Sequence, residues 1–341
     1  MHARILAVVI GVVAFTLVAT LAVGAFITFS PAGTKSKAPS EPQTIVIVRN
    51  PPALDVVWNN FRESFASFGY KEGENIRYII TEVGADVPAT MRALTAALEG
   101  SSVDLIYTMG ITATRAAKEL TEETNAETPI LFAVVSDPVG GGLVASMQSS
   151  GNNLTGVTPT NNLVASKRLE FLKEMLPETK RIVYAYNDEK TSGIVGLRRF
   201  APGLGLELVE KRIANATELT AFLDAFTYRE GDAILRASDG VGASALSGTL
   251  EIARRERVPL VGTNASDVSR GALMSYGANY GEIGIQSSRM ADRILRGTPP
   301  SNIPIEEAAL FEVAVNLETA EAIGALIPQS FLLRVHHIFP E

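Results

Sequence analysis

The sequence predicts an α/β protein with two lobes, each built on a parallel sheet, and with the chain crossing between them. Three observations predict it. Short apolar, β-branched runs alternate with stretches of helical period. The connections between them are short, which favours parallel strands with right-handed crossovers. The alternation restarts near residue 160, and the last stretch holds too few elements for a third domain, so it completes the two sheets already begun.

Taken in order, Thr44–Val48 reads as a strand buried on both faces. Residues 54–68 place Leu54, Val57, Trp58, Phe61, Phe65 and Phe68 at helical spacing, and Gly69 stops the helix. Ile76–Ile80 is a strand, 86–99 a helix with Met91, Leu94 and Leu98 on one face, Val103–Thr108 a strand, 112–123 a helix and Pro129–Val135 a strand. The second unit runs helix 163–176, strand Ile182–Tyr186, helix 191–200, strand 206–213, helix 217–226, strand Asp232–Arg236, helix 241–256 and strand Val258–Val261. Strand Ala272–Ser275, helix 279–296, a stiff loop over 297–304 and strand Phe311–Val315 follow. The aromatic residues of the first helix are expected in the core, because they keep its period.

Composition narrows the chemistry. The chain has 341 residues, 46% hydrophobic and 20% charged, with a net charge of −7. That supplies real cores, and an acidic chain without a basic block does not suit nucleic acid. There is no cysteine, which removes disulfides, thiol nucleophiles, cysteine-held metals and a lipid-modified cysteine anchor. The three histidines are His2, His336 and His337, all at the chain ends, so histidine-based catalysis or metal binding is disfavoured. No cofactor and no metal ion is expected, and the chain does not read as an enzyme.

The N-terminus speaks to location. No charge falls between Ile5 and Thr34, and the run Ile5–Phe29 is apolar all round and long enough to cross a bilayer core. Arg4 precedes it, so the body is expected outside the cytoplasm. Two readings compete: a signal peptide cut after Ala25, with Val23-Gly24-Ala25 as the small-residue site, or an uncleaved anchor. Residues 31–43 read as a flexible linker.

Candidate site residues lie where strands give way to helices. Gly110 to Thr114 follows a strand and opens a helix, whose free N–H groups suit a carboxylate or phosphate; the alternative is that Thr112 simply caps the helix. Asp137, before Pro138, and Asp239, before Gly240, each read either as ligand groups or as turn chemistry. Asn187 and Tyr276 close two further strands. No P-loop occurs, and Gly140-Gly141-Gly142 has the wrong spacing for a dinucleotide fingerprint.

Four segments carry a resemblance. SDPVGGGLVASMQSSGNNLTGVT (136–158) resembles DPVG-x-GLV-x-S…GGN-x-TGV of the TrpX-like family (ABC_sub_bind) of bacterial ABC-transporter substrate-binding proteins. FGYKEGENIRY (68–78), KRLEFLKEMLP (167–177) and FEVAVNLETAEAIGALIPQSFLLR (311–334) are similar to other stretches of that family, so the resemblance spans about 44–335. It implies a type I periplasmic binding protein: two Rossmann-like lobes joined by hinge crossovers, closing on a small polar or amino-acid-like solute. By alignment with the family, the ligand residues are Pro52, Ala53, Leu54 and Asp55, then Ile111, Thr112 and Ala113, then Asp137, and in the second lobe Asn187, Asp239 and Tyr276. Where the family commonly has Thr-Pro-Ala-Ala, this chain has Ile111-Thr112-Ala113-Thr114.

The organisation expected is 1–30 as signal peptide or membrane anchor and 31–43 as linker. Residues 44–158 with about 276–300 make the N-terminal lobe, and 159–275 with about 305–335 the C-terminal lobe. The function implied is delivery of a small molecule to an ABC permease and its ATPase, outside the cytoplasm, with the membrane reached through the N-terminus. The alternative is a membrane-anchored domain that senses the ligand and reports to a signalling partner.

Overall fold

The computed structural model describes residues 42–49, 54–82, 87–100, 102–124, 126–159, 162–188, 191 and 193–340. The apolar segment Ile5–Phe29, the linker, Pro52 and Ala53 lie outside the described residues. Among the described residues, no helix is long and apolar enough to cross a membrane.

The first half builds β1 (Gln43–Arg49), α1 (Asp55–Ser67), β2 (Ile76–Glu82), α2 (Val87–Leu98), β3 (Leu105–Met109), α3 (Ile111–Glu123), β4 (Ile130–Ala133) and β5 (Leu154–Thr158). The second repeats the pattern with α4 (Asn162–Met175), β6 (Arg181–Tyr186), α5 (Ile194–Phe200), β7 (Glu207–Arg212), α6 (Ala216–Ala225) and β8 (Asp232–Leu235). After it come α7 (Gly240–Ser244), α8 (Leu246–Glu256), β9 (Leu260–Gly262), α9 (Ala265–Ser269) and β10 (Met274–Ala278). Last come α10 (Tyr280–Leu295), β11 (Glu306–Glu307), β12 (Phe311–Asn316), α11 (Leu317–Ile323), α12 (Gln329–Leu332) and β13 (His337–Phe339).

The strands form a six-stranded sheet, β11-β5-β4-β3-β1-β2, and a seven-stranded sheet, β13-β12-β10-β9-β8-β6-β7. Every pairing is parallel except β10 with β12. The inner order is the same in both halves, β2-β1-β3-β4-β5 and β7-β6-β8-β9-β10. In each sheet the order reverses beside one strand, β1 or β6, and such a switch point is where open α/β sheets bind ligands. The chain passes between the sheets after β5, after β10 and after β11.

Central strands read as continuous apolar runs because helices cover both faces. One core takes Ile45, Ile47, Phe61, Phe65, Tyr107 and Leu131, and α10 returns from the second sheet to complete it with Ile283, Met290 and Ile294. Trp58 and Phe61 are buried in it, as their period predicts. Each such side chain contributes about 1.5–3 kcal/mol by leaving water. Small residues let α10 approach α1: a Cβ on Gly284 would stand 2.3 Å from the Val57 carbonyl oxygen, and the Ser64 and Ser288 hydroxyls are 2.7 Å apart. A matching core in the second half gathers Leu169, Leu172, Tyr184, Leu197 and Leu235.

Several elements differ from the sequence reading. The helix expected over 241–256 is two, α7 and α8, broken at Ala245. Strand β5 is absent from that reading because LTGVT mixes glycine and threonine into a buried run. Its environment explains both residues: Thr155 Oγ1 donates to the Ile303 carbonyl at 2.8 Å, and a Cβ on Gly156 would fall 2.1 Å from the Phe132 oxygen. The short α9, α11, α12 and β13 also lack a periodic signal, and the ordered chain continues past 335 into β13, which pairs with β12.

Candidate functional site

Among the described residues, the expected ligand residues sit at or after the carboxyl ends of strands in both sheets, except Tyr276: the sequence placed it where a strand closes, but β10 runs on to Ala278 and Tyr276 lies at its middle, paired with Val313. In the first sheet, Leu54 and Asp55 follow β1, and Ile111, Thr112 and Ala113 follow β3, on the two sides of the switch point. Both helices here begin without a side-chain cap, α1 at Leu54 and α3 at Gly110. Thr112 therefore does not cap α3; it lies inside the first turn. Gly110 holds φ 91°, which a side chain would resist, and its N–H donates to the Ala133 carbonyl at 2.9 Å. The amides of Ile111, Thr112 and Ala113 have no earlier helical carbonyl to donate to, so they and the helix dipole favour an anionic group. Thr114 is turned inward: its hydroxyl donates to the Gly110 carbonyl at 2.8 Å and lies 2.9 Å from the Thr108 hydroxyl.

Asp55 is paired with Arg49, which also reaches Glu82 at 2.9 Å. Asp137 is half-buried and accepts the Gly140 N–H at 2.7 Å, a tight turn. A Cβ on Gly141 would come 2.8 Å from the Asp137 carbonyl, and the turn packs beside Ile111.

In the second half the helix after β6, α5, also begins without a side-chain cap, at Gly193, whereas the helices that follow β7, β8, β9, β10 and β12 are capped. Asn215, Asp239, Asn264, Asn279 and Asn316 each accept a first-turn N–H. Asp239 does more than cap α7. Its Oδ1 accepts Gly242 N–H at 2.7 Å, while Oδ2 accepts Asn187 N–H at 3.0 Å and the Thr191 hydroxyl at 3.4 Å. The loop after β8 is thereby tied to the loop after β6, across that sheet's switch point. An ionised carboxylate has about four acceptor positions, and three of them are used among the described residues. Asn187 brings its backbone to this junction and leaves its side chain exposed. The Tyr276 ring is held edge-on to Phe171 (5.1 Å) and stacked with Phe311 (5.7 Å), and burial raises its hydroxyl's pKa.

Sequence reasoning missed a group beside these loops. Arg168, on α4, is 2% exposed. Its Nε donates to the Tyr276 carbonyl at 2.7 Å, Nη1 to the Ser238 hydroxyl at 3.1 Å and Nη2 to the Thr263 carbonyl at 3.0 Å. Arg236 lies nearby, donating to Asp267 at 2.8 Å and to the Thr263 hydroxyl. Burial, and then Arg236, lower the Arg168 guanidinium to about 10. Asn264 stands 3.5 Å from the hydroxyl of Tyr280, whose ring packs on the first core, so the two halves meet here at the limit of hydrogen bonding. The signal for Arg168 was present as KRLEFLKEMLP, but its period places the apolar face and says nothing of a buried guanidinium.

Comparison with known proteins fits this geometry. The family model described as ABC transporter substrate binding protein matches residues 43–338. A protein named tyrosine-binding protein from Clostridioides difficile (strain R20291) is 26% identical over 275 residues, 80% of this chain and 77% of that one. The ligand-free, open structure of a substrate-binding protein with adhesive properties from Clostridium difficile has a TM-score of 0.66 at 26% identity, covering 86% of this chain and 98% of its own. An ABC domain from Streptococcus pneumoniae in complex with L-Trp has a TM-score of 0.76 at 21% identity, covering 88% and 100%, and shows the fold. The chain belongs to the ABC transporter substrate-binding protein family, an extracytoplasmic family whose role is to bind a solute rather than to catalyse.

Proposed function

We propose that this ABC transporter substrate-binding protein takes a small amino-acid-like molecule between the strand ends of its two sheets and delivers it to an ABC permease. The observation that carries the reading is the contrast between α3 and α7, the helices that follow β3 and β8 at the two switch points. On the first sheet the bare N-terminus of α3, at Ile111, Thr112 and Ala113, offers donors to a carboxylate. On the second, Asp239 would accept from an ammonium or other donor through the acceptor position its partners among the described residues leave, with Asp137 as a further acceptor and Tyr276 contributing a ring face or its hydroxyl. A zwitterion matches that polarity. Pro52, Ala53, Leu54 and Asp55 would border the ligand after β1, and Asn187 after β6. The names of the tyrosine-binding relative and the L-Trp complex point the same way. The segment Ile5–Phe29 would export the body and, if uncleaved, hold it at the cytoplasmic membrane.

Native mass spectrometry of the purified body, with calorimetric titration of L-tyrosine, L-tryptophan and the other common amino acids, tests the ligand class. Co-purification or saturable binding of an amino acid is expected. Failure of all of them to bind overturns the reading.

A further inference from the structure

The second sheet carries a buried cation that no expected ligand contact explains. Arg168 approaches from α4, behind the strand ends, and its three acceptors belong to three segments: Ser238 after β8, Thr263 after β9 and Tyr276 in β10. Two of the three adjoin or are candidate ligand positions, and the third lies where the two halves meet. Ser238 precedes Asp239, Thr263 precedes Asn264 beside Tyr280, and Tyr276 is itself one. Among the described residues no carboxylate bonds to Arg168; two of its acceptors are backbone carbonyls. A planar guanidinium with donors on three nitrogens can hold such a set in one geometry, which the compact Lys ammonium cannot. Burying that charge is costly, so its placement at the junction of the ligand loops with the crossover strand calls for a local reason. Two glycines let the loops close around it: a Cβ on Gly277 would lie 2.0 Å from the Thr263 carbonyl oxygen, and one on Gly262 2.6 Å from the Asp267 Cβ.

We propose that Arg168 is a positioning residue for ligand binding: its one guanidinium holds the loops after β8 and β9 and the crossover strand β10 in a fixed register. Asp239 extends the same register to the β6 loop. The half-site on the second sheet is thereby assembled before a ligand arrives, which lowers the ordering cost of binding. Because β10 leads directly into α10 on the first core, the guanidinium also joins the ligand loops to a crossover between the two sheets. This inference rests on the amino-acid reading only for its binding arm.

The test has two arms. In the ligand-free protein, amide hydrogen exchange of Arg168→Met should rise at least tenfold at 237–240, 262–265 and 274–278 while β6 keeps its protection. A uniform rise, or none, overturns the proposal. Should Arg168→Met not fold, Ser238→Ala, which removes one contact and strands no carbonyl, decides: faster exchange confined to 237–240 is expected, and unchanged exchange there overturns it. In the binding arm, with L-tyrosine and L-tryptophan as probes, folded Arg168→Lys should bind at least tenfold more weakly and Ser238→Ala roughly three- to tenfold more weakly. Arg168→Lys binding as tightly as the wild type overturns the proposal. If the wild type binds neither probe, the ligand assignment fails and the exchange arm alone judges Arg168.

Discussion

Replacing Asp239 separates a structural carboxylate from a ligand group. Asp239→Ala removes the cap of α7, worth about 1 kcal/mol, and the charged bond to Asn187 N–H, worth about 1.5–3 kcal/mol. These are the two bonds at 2.7 and 3.0 Å; the 3.4 Å contact to Thr191 adds little. The expected loss is therefore about 2–4 kcal/mol of folding stability, larger than a turn residue read from sequence suggests. At roughly 2–4 °C per kcal/mol for a domain of this size, the thermal midpoint should fall by about 4–16 °C. Asp239→Asn keeps an oxygen for Gly242 and should retain the cap, but its amide meets the Asn187 N–H donor to donor, so it should fall in between. If Asp239 also holds the ligand's donor group, binding by the folded Asp239→Ala protein should weaken by a further 2–5 kcal/mol or about 30- to 5,000-fold. Differential scanning calorimetry and isothermal titration of the same samples read the two effects apart. A midpoint within 1 °C of wild type would refute the capping argument at about its lowest estimate. Wild-type affinity in a destabilised Asp239→Ala would leave the residue structural and sink its place in the site.

Three further outcomes follow from the packing. Gly284→Ala puts a methyl 2.3 Å from the Val57 carbonyl, so α10 must lift from α1; a loss of about 1–3 kcal/mol in chemical denaturation is expected, and wild-type stability would show that the helices do not touch there. Burial raises the hydroxyls of Tyr70, Tyr107 and Tyr184 above their ordinary value of 10.0. Above pH 10 the unfolded chain loses those protons and the folded one keeps them, so stability falls as pH rises through that range; Arg168, lowered to about 10, opposes this as a single group. Tyrosinate absorbance should then appear together with loss of near-ultraviolet circular dichroism, and gradual ionisation of a protein still folded would contradict it. Finally, a saturating ligand should compact the protein in small-angle scattering, whereas superimposable profiles would count against closure.

Local chemistry was legible in the sequence wherever it repeats at a fixed period. The strand–helix alternation, the buried aromatic face of α1 and the placement of candidate residues other than Tyr276 at strand ends all follow from neighbours within a turn or two. What failed was short or mixed: β5, whose glycine and threonine answer to Phe132 and Ile303 rather than to a period, and the break at Ala245. For Asp137 and Asp239 the sequence left ligand and turn readings side by side, and the structure shows turn and cap bonds at both.

By itself, then, the sequence determined the class of fold and the family, because apolar period, turn residues and motif strings are properties of adjacent positions. Only the tertiary structure decided which polar groups meet. The acceptors of Arg168 lie 70, 95 and 108 residues away, and Asp239 meets the Asn187 amide across 52. A buried charge is stable only where folding brings its partners within bonding distance, and no period along the chain records which distant carbonyl that will be.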